Sequence, residues 1–165
     1  MLGQQLKRIL SPLRIPLIVN DHLELAIALD ADGLHLGQTD GDPALARRRL
    51  GPNKLMGVSI DSEENLMHAN TLLIDYVGIG ALFATASKPN VTTLWGLDGL
   101  QQLAPKAKHP IIGIGGINED NAAQVLSSGA HGIAVIGALH DAQNPRDTTQ
   151  QLRRIIDHGG KPHVA

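Results

Sequence analysis

The sequence predicts an α/β fold of the (β/α)8 TIM-barrel type, with about six of the eight β/α units present. Two observations carry that expectation. Short aliphatic runs alternate with amphipathic segments at roughly twenty-residue spacing, the pattern of right-handed βαβ units around one parallel sheet. The residues able to do chemistry gather at the C-terminal ends of those runs, where barrel enzymes build their sites.

The expected strands are PLIVN (16–20), GLHLG (33–37), KLMGVSI (54–60), YVGIGALF (76–83), PIIGIGGI (110–117) and GIAVIGAL (132–139). Each is short, rich in branched residues and bounded by Gly, Pro, Asn or Asp, as buried parallel strands are. MLGQQLKRIL reads as a helix feeding the first strand. HLELAIALDA puts Leu23, Ala26, Ile27 and Leu29 on one face. DPALARRRLG has Pro43 in its first turn and Gly51 just past its end, and DSEENLMHANTLL opens on Asp61 or Ser62 as a cap. GLDGLQQLAPKAK, NEDNAAQVLSSGA (with Asn118 as its expected N-cap) and NPRDTTQQLRRIIDHG complete the helical set. Six units would also suit a doubly wound open sheet. The polar residues at the strand ends favour the barrel.

Composition narrows the function. The 165 residues suit a single domain, 1–165, with a real core. Hydrophobic residues make up 42% and charged residues 18%, the balance of a folded globular chain. A net charge of −2 gives no reason to expect nucleic acid or an anionic membrane as partner. Without cysteine there is no disulfide or thiolate metal site, and no run approaches membrane-spanning length. The expected compartment is the cytoplasm.

Three groups could carry chemistry. Gly115 and Gly116 end a strand that leads into a helix, and Gly137 stands near the tip of the next. Backbone N–H groups so placed can cradle a phosphate on the positive end of a helix dipole, although glycines there also simply permit tight turns. Asn20, Asp21 and Asp40 fall on neighbouring strand ends. Two carboxylates and an amide are hard oxygen ligands suited to Mg²⁺ shared with a substrate diphosphate, or else the two aspartates cap the helices that follow. Thr85, Ser87 and Lys88 lie in a loop without helical pattern. They can bind a diphosphate, with Lys88 offsetting the charge that builds on departing pyrophosphate, or they form a solvated surface loop. His35 reads as a core or rim residue, and the eight histidines show no ligand spacing.

Taken in order, IPLIVND, ADGLHLGQTD, LMGVSIDS, YVGIGALFATASKPN and PIIGIGGINEDNAAQVLSSGAHGIAVIGAL resemble the thiamine phosphate synthase family over about residues 14–140. The resemblance implies a Mg²⁺-dependent (β/α)8 transferase. Such an enzyme joins a pyrimidine diphosphate to a thiazole phosphate by a dissociative route and releases pyrophosphate. It implies Asn20, Asp21 and Asp40 as diphosphate and magnesium residues, and Ser59 beside the pyrimidine. Thr85, Ser87 and Lys88 correspond to a TxTK loop with Ser in place of its second Thr. Gly115 and Gly116 correspond to the thiazole-phosphate cradle, with Ile136 and Gly137 across from them. Gly137 stands where the family has Ser, and His22 where Arg is usual. The family's Gln-x-Arg-x-Lys segment, on an earlier strand, has no counterpart here. Three resolutions are open for closing the barrel: the sequence is a shortened form of a longer chain, a partner polypeptide or a second copy supplies the two strands, or the chain is a remnant that catalyses nothing. Alone, it is expected to be a poor catalyst. A thiazole tautomerase, which would need a positioned His, and a non-catalytic thiazole-phosphate or thiamine-phosphate binding protein are the competing functions.

Overall fold

The computed structural model describes residues 2–86 and 93–159. Six parallel strands form one sheet in sequence order: β1 (Ile18–Asn20), β2 (Gly33–Leu36), β3 (Leu55–Ile60), β4 (Tyr76–Ile79), β5 (Ile111–Ile114) and β6 (Gly132–Ala134). Helices α1 (Leu2–Leu10), α2 (Leu23–Ala28), α3 (Pro43–Leu50), α4 (Glu63–Ala69), α5 (Gly96–Leu103), α6 (Ala122–Ser127), α7 (Gly137–His140) and α8 (Pro145–Gly159) lie before, between and after them. Neighbouring strands that follow one another in sequence, each joined through a helix, curl into a TIM-type barrel sector rather than a doubly wound sheet.

The core lies between the sheet and its helices. Leu34, Leu36, Met56, Val58, Ile60, Val77, Ile79 and Ile111 point outward, buried against Ala26, Ala46, Leu66, Leu100, Leu103 and Val125. Period-two alternation leaves the other strand residues on the inner, barrel-facing side. Ile18, Gly33 and Leu55 stand side by side in register there. The next row is Asn20, His35, Gly57 and Tyr76, and the one above it is Ser59, Gly78, Ile112 and Gly132. Leu55 and Ile114 on this inner face remain about two-fifths exposed (40% and 38%). Along α1 and its exit, Leu2, Ile9, Leu13 and Ile15 are also open.

Caps explain several helix starts. Asp42 accepts from Ala44 N–H at 2.8 Å with Pro43 following, and Ser62 rather than Asp61 caps α4 by accepting from Asn65 N–H at 3.1 Å. Asn118 is not the cap of α6. Its side chain accepts from Asp120 N–H at 2.9 Å in an Asx turn, and the helix starts after Asn121. Three expected strands overrun. β4 ends at Ile79 and β5 at Ile114 because the chain there turns across the barrel rim. β6 ends at Ala134, and residues 137–140 form α7.

At the N-terminal end of the strands, Arg47 donates to the carbonyls of Leu73, Gly51 and Lys54 (2.7–3.0 Å) and to Asp75 at 2.6 Å. Asp75 also accepts from Met56 N–H. This ties α3 to the loops that precede β3 and β4. Nearby, Asp30 pairs with Lys54 and Lys7, which anchors α1 to the end of α2. The two ammonium groups, Lys54 first, lower the Asp30 carboxyl to about 2. A depressed carboxylate stabilises the fold above its unfolded value near 4, and that stabilisation fades as pH falls toward about 2. Asp30→Asn keeps a residue that tolerates the local φ of 47° and should lower Tm slightly at pH 6 and not at pH 2. Melting curves in dilute buffer at the two pH values check this, and an equal loss at both would show that the ion pairs are not the cause.

Candidate active site

The C-terminal rim of the sheet gathers the polar residues. Asn20 ends β1, and Asp21 follows it in a left-handed conformation (φ 70°) fixed by an N–H bond to His35 O at 2.8 Å. That conformation turns the Asp21 carboxylate toward Asp40, in the loop after β2. Asp40 in turn accepts from Gly37 N–H at 2.8 Å. Neither aspartate caps a helix: His22 occupies the α2 cap position with no side-chain bond, and Asp42 caps α3. Burial, then the hydrogen bond and like charge of Asp40, raise the Asp21 carboxyl above the usual range, against smaller lowering contributions from His22 and Asn20. Two carboxylates in contact share a proton or a cation. The set fits a divalent ion held jointly with substrate oxygens. Among the described residues no cluster of three or more His, Asp, Glu or Cys could hold a metal ion by itself.

Ser59 stands on the inner face of β3, one register row above His35. Its Oγ lies 3.0 Å from His35 Nε2, and its carbonyl accepts from the Gln38 amide. His35, half-buried on the inner face, stacks on Tyr76 with ring centroids 5.5 Å apart and its Nδ1 3.1 Å from the Tyr76 hydroxyl. Sequence reasoning passed over this pair. The signal was available in parity: His35, Gly57 and Tyr76 fall on one face of three consecutive strands, with the glycine between the rings. A Cβ on Gly57 would lie 2.2 Å from the Tyr76 ring and 2.6 Å from His35 Nδ1.

The glycine tips permit close packing at the rim. Gly115 and Gly116 have φ of 97° and 64°, and the loop after β4 packs directly on them. Leu82 N–H donates to Ile114 O and Phe83 N–H to Gly115 O. Tight packing thus accounts for both glycines, and it carries the chain toward Thr85, which is half-buried on that loop. The Gly116 N–H meets no protein acceptor among the described residues. Across the β5–β6 pair, Ile136 is 61% exposed and precedes Gly137, the first residue of α7. The expected sites Ser87 and Lys88 lie outside the described residues.

The family model described as "Thiamine monophosphate synthase" matches residues 1–139. The chain belongs to the thiamine-phosphate synthase family. It is 52% identical over 157 residues to the thiamine-phosphate synthase of Chlamydia abortus, spanning 95% of this chain and 74% of that protein. With the enzyme of Vibrio campbellii it shares 45% identity over 154 residues, 93% of this chain and 76% of the other. The solved thiamine phosphate pyrophosphorylase of Pyrococcus furiosus superposes with a TM-score of 0.85 at 36% identity, covering 95% of this chain and 75% of that one. An orotidine 5'-phosphate decarboxylase from Pyrococcus horikoshii, 13% identical with a TM-score of 0.71, shares the barrel fold alone. Thiamine-phosphate synthases are transferases of thiamine biosynthesis. Among the described residues no helix is long and apolar enough to cross a membrane.

Proposed function

We propose that the rim binds a pyrimidine diphosphate and a thiazole phosphate and couples them, with Mg²⁺, to thiamine phosphate and pyrophosphate. The observation that carries this is the Asp21–Asp40 carboxylate contact beside Asn20, on the same rim as Ser59 and the glycine tips. In this reading Asp21 and Asp40 would hold Mg²⁺ beside the diphosphate, and Asn20 donates to the diphosphate. The ion, when bound, offsets charge on the leaving pyrophosphate. Thr85, Ser87 and Lys88 receive that diphosphate as the methylene C–O bond breaks. The thiazole nitrogen then forms the C–N bond to the pyrimidine methylene carbon. A dissociative step of this kind needs no general base. Ser59 seats the pyrimidine, and Gly115, Gly116, Ile136 and Gly137 face the thiazole phosphate. As a biosynthetic enzyme acting on small polar molecules it is placed in the cytoplasm.

A tautomerase reading would need a histidine poised over substrate for proton transfer. Both ring nitrogens of His35 are instead engaged by Ser59 and Tyr76, which favours the synthase. A non-catalytic binding protein would keep the phosphate cradle without needing the carboxylate contact. Closing an eight-stranded barrel takes two further parallel strands between β6 and β1. We assign that role to two β/α units of another polypeptide segment or of a second copy. They would cover the inner face at Leu55 and Ile114 and pair the outer edges of β1 and β6.

The test is product formation by the purified 165-residue chain with Mg²⁺ and both substrates, thiamine phosphate being read by mass spectrometry. Turnover by the chain alone supports the synthase and places closure in an oligomer of this chain. Turnover only when the first two strands of a relative are fused on or added in trans supports it with a separate closing segment. Thiazole-phosphate binding with no product in either format overturns the catalytic reading in favour of a binding protein.

A further inference from the structure

We propose that His35 is a positioning residue for the Ser59 hydroxyl, held by a stack on Tyr76 so that Ser59 presents its proton to an acceptor nitrogen of the pyrimidine ring. The inference rests on the synthase reading of the site and deepens it.

The geometry begins in the sheet. His35, Gly57 and Tyr76 stand in one register row across β2, β3 and β4, and only the absence of a side chain on Gly57 lets the outer two rings meet. The planes lie within 27° of parallel. Gly78, in the row above, adds to the clearance: a Cβ there would sit 3.2 Å from His35 Cε1. The imidazole is therefore clamped, with Nδ1 on the Tyr76 hydroxyl and Nε2 on Ser59 Oγ.

A neutral imidazole has one donor nitrogen and one acceptor nitrogen, so the two hydroxyls must play opposite roles. A phenol is a better donor than an aliphatic hydroxyl. Tyr76 also keeps its proton, because burial first and the Asp75 charge second raise its pKa. Tyr76 therefore donates to Nδ1, and Nε2–H donates to Ser59 Oγ. The Ser59 proton is left to point into the barrel. The ring nitrogens of a pyrimidine are acceptors, so this arrangement matches that ring and the opposite tautomer does not. The chain uses three strands to set the direction of one proton.

The experiment combines ligand kinetics with a ligand-independent spectrum. His35→Leu should raise KM for the pyrimidine diphosphate about tenfold, the effect of one lost oriented hydrogen bond, and leave KM for the thiazole phosphate unchanged. His35→Gln, whose amide can reach Ser59, should recover most of the loss. In a Ser59→Ala background, His35→Leu should cost nothing more. An equal cost in that background, or an equal rise in both KM values, overturns the proposal in favour of a merely structural histidine. Long-range ¹H–¹⁵N spectra of the unliganded protein should show the Nε2-protonated tautomer of His35, mixing with the other in Tyr76→Phe. A dominant Nδ1-protonated tautomer in the parent protein overturns the proposal whatever the ligand data show. If the pyrimidine diphosphate is neither bound nor converted by the chain, alone or with the closing strands supplied, the synthase reading fails, and the tautomer spectrum still decides the role of His35.

Discussion

Gly115→Ala should lower stability by about 3 kcal/mol, a fall in Tm of about 6–12 °C for a chain of this size. Two costs add. At φ 97° an alanine backbone is strained by roughly 1–3 kcal/mol. Its Cβ would also stand 2.7 Å from Ala81 Cα, which is backbone and cannot rotate away. The loop after β4 must then lift off β5. Its bonds from Leu82 N–H to Ile114 O and from Phe83 N–H to Gly115 O would stretch or break. That loop carries Thr85, so the damage should reach the diphosphate side of the site as well as the thiazole-phosphate side. Thermal melts and KM values for both substrates check this. If Gly115 serves only to cradle phosphate, the variant will melt near the parent temperature and only the thiazole-phosphate KM will rise.

The close packing on Gly115 marks where the sequence was legible and where it was not. Every observed strand falls inside an expected run, because a parallel strand buried on its outer face must be aliphatic and short, and its ends must turn. The β4 overrun has a clear physical cause. Residues 80–83 are as apolar as a strand, with Ala81 and Leu82 buried, yet they cover the rim of the barrel and pair with the tip of β5 rather than extend β4. Periodicity cannot separate a buried loop from a buried strand. The aspartate pair was legible as two strand-end carboxylates, but whether they capped helices depended on which Asp the α3 backbone chose, and it chose Asp42. His35 gave no local signal at all. Its partners lie 24 and 41 residues away, and only the register of three strands brings them together.

Asp21→Asn should raise the stability of the unliganded protein at neutral pH and lower turnover about 100-fold or more. The sign follows from linkage. Burial, followed by the neighbouring Asp40, raises the folded-state pKa of Asp21 above its unfolded value near 4. As pH rises through that interval the unfolded chain gives up its proton first, so the native state loses stability, and the loss is complete above the folded pKa. Asparagine carries no proton to lose and also tolerates the left-handed φ of 70°, so the substitution removes the repulsion without adding strain. The Tm of the variant should match the parent at pH 3 and exceed it at pH 7. With Mg²⁺ and the pyrimidine diphosphate present the order should reverse, because the parent gains the binding free energy of both and the variant loses most of it. A site that costs stability when empty and returns it when loaded is the behaviour expected of paired metal-binding carboxylates. If Asp21 is only a turn residue, the variant will melt no higher than the parent at pH 7, no crossover will follow the addition of ligand, and turnover will survive.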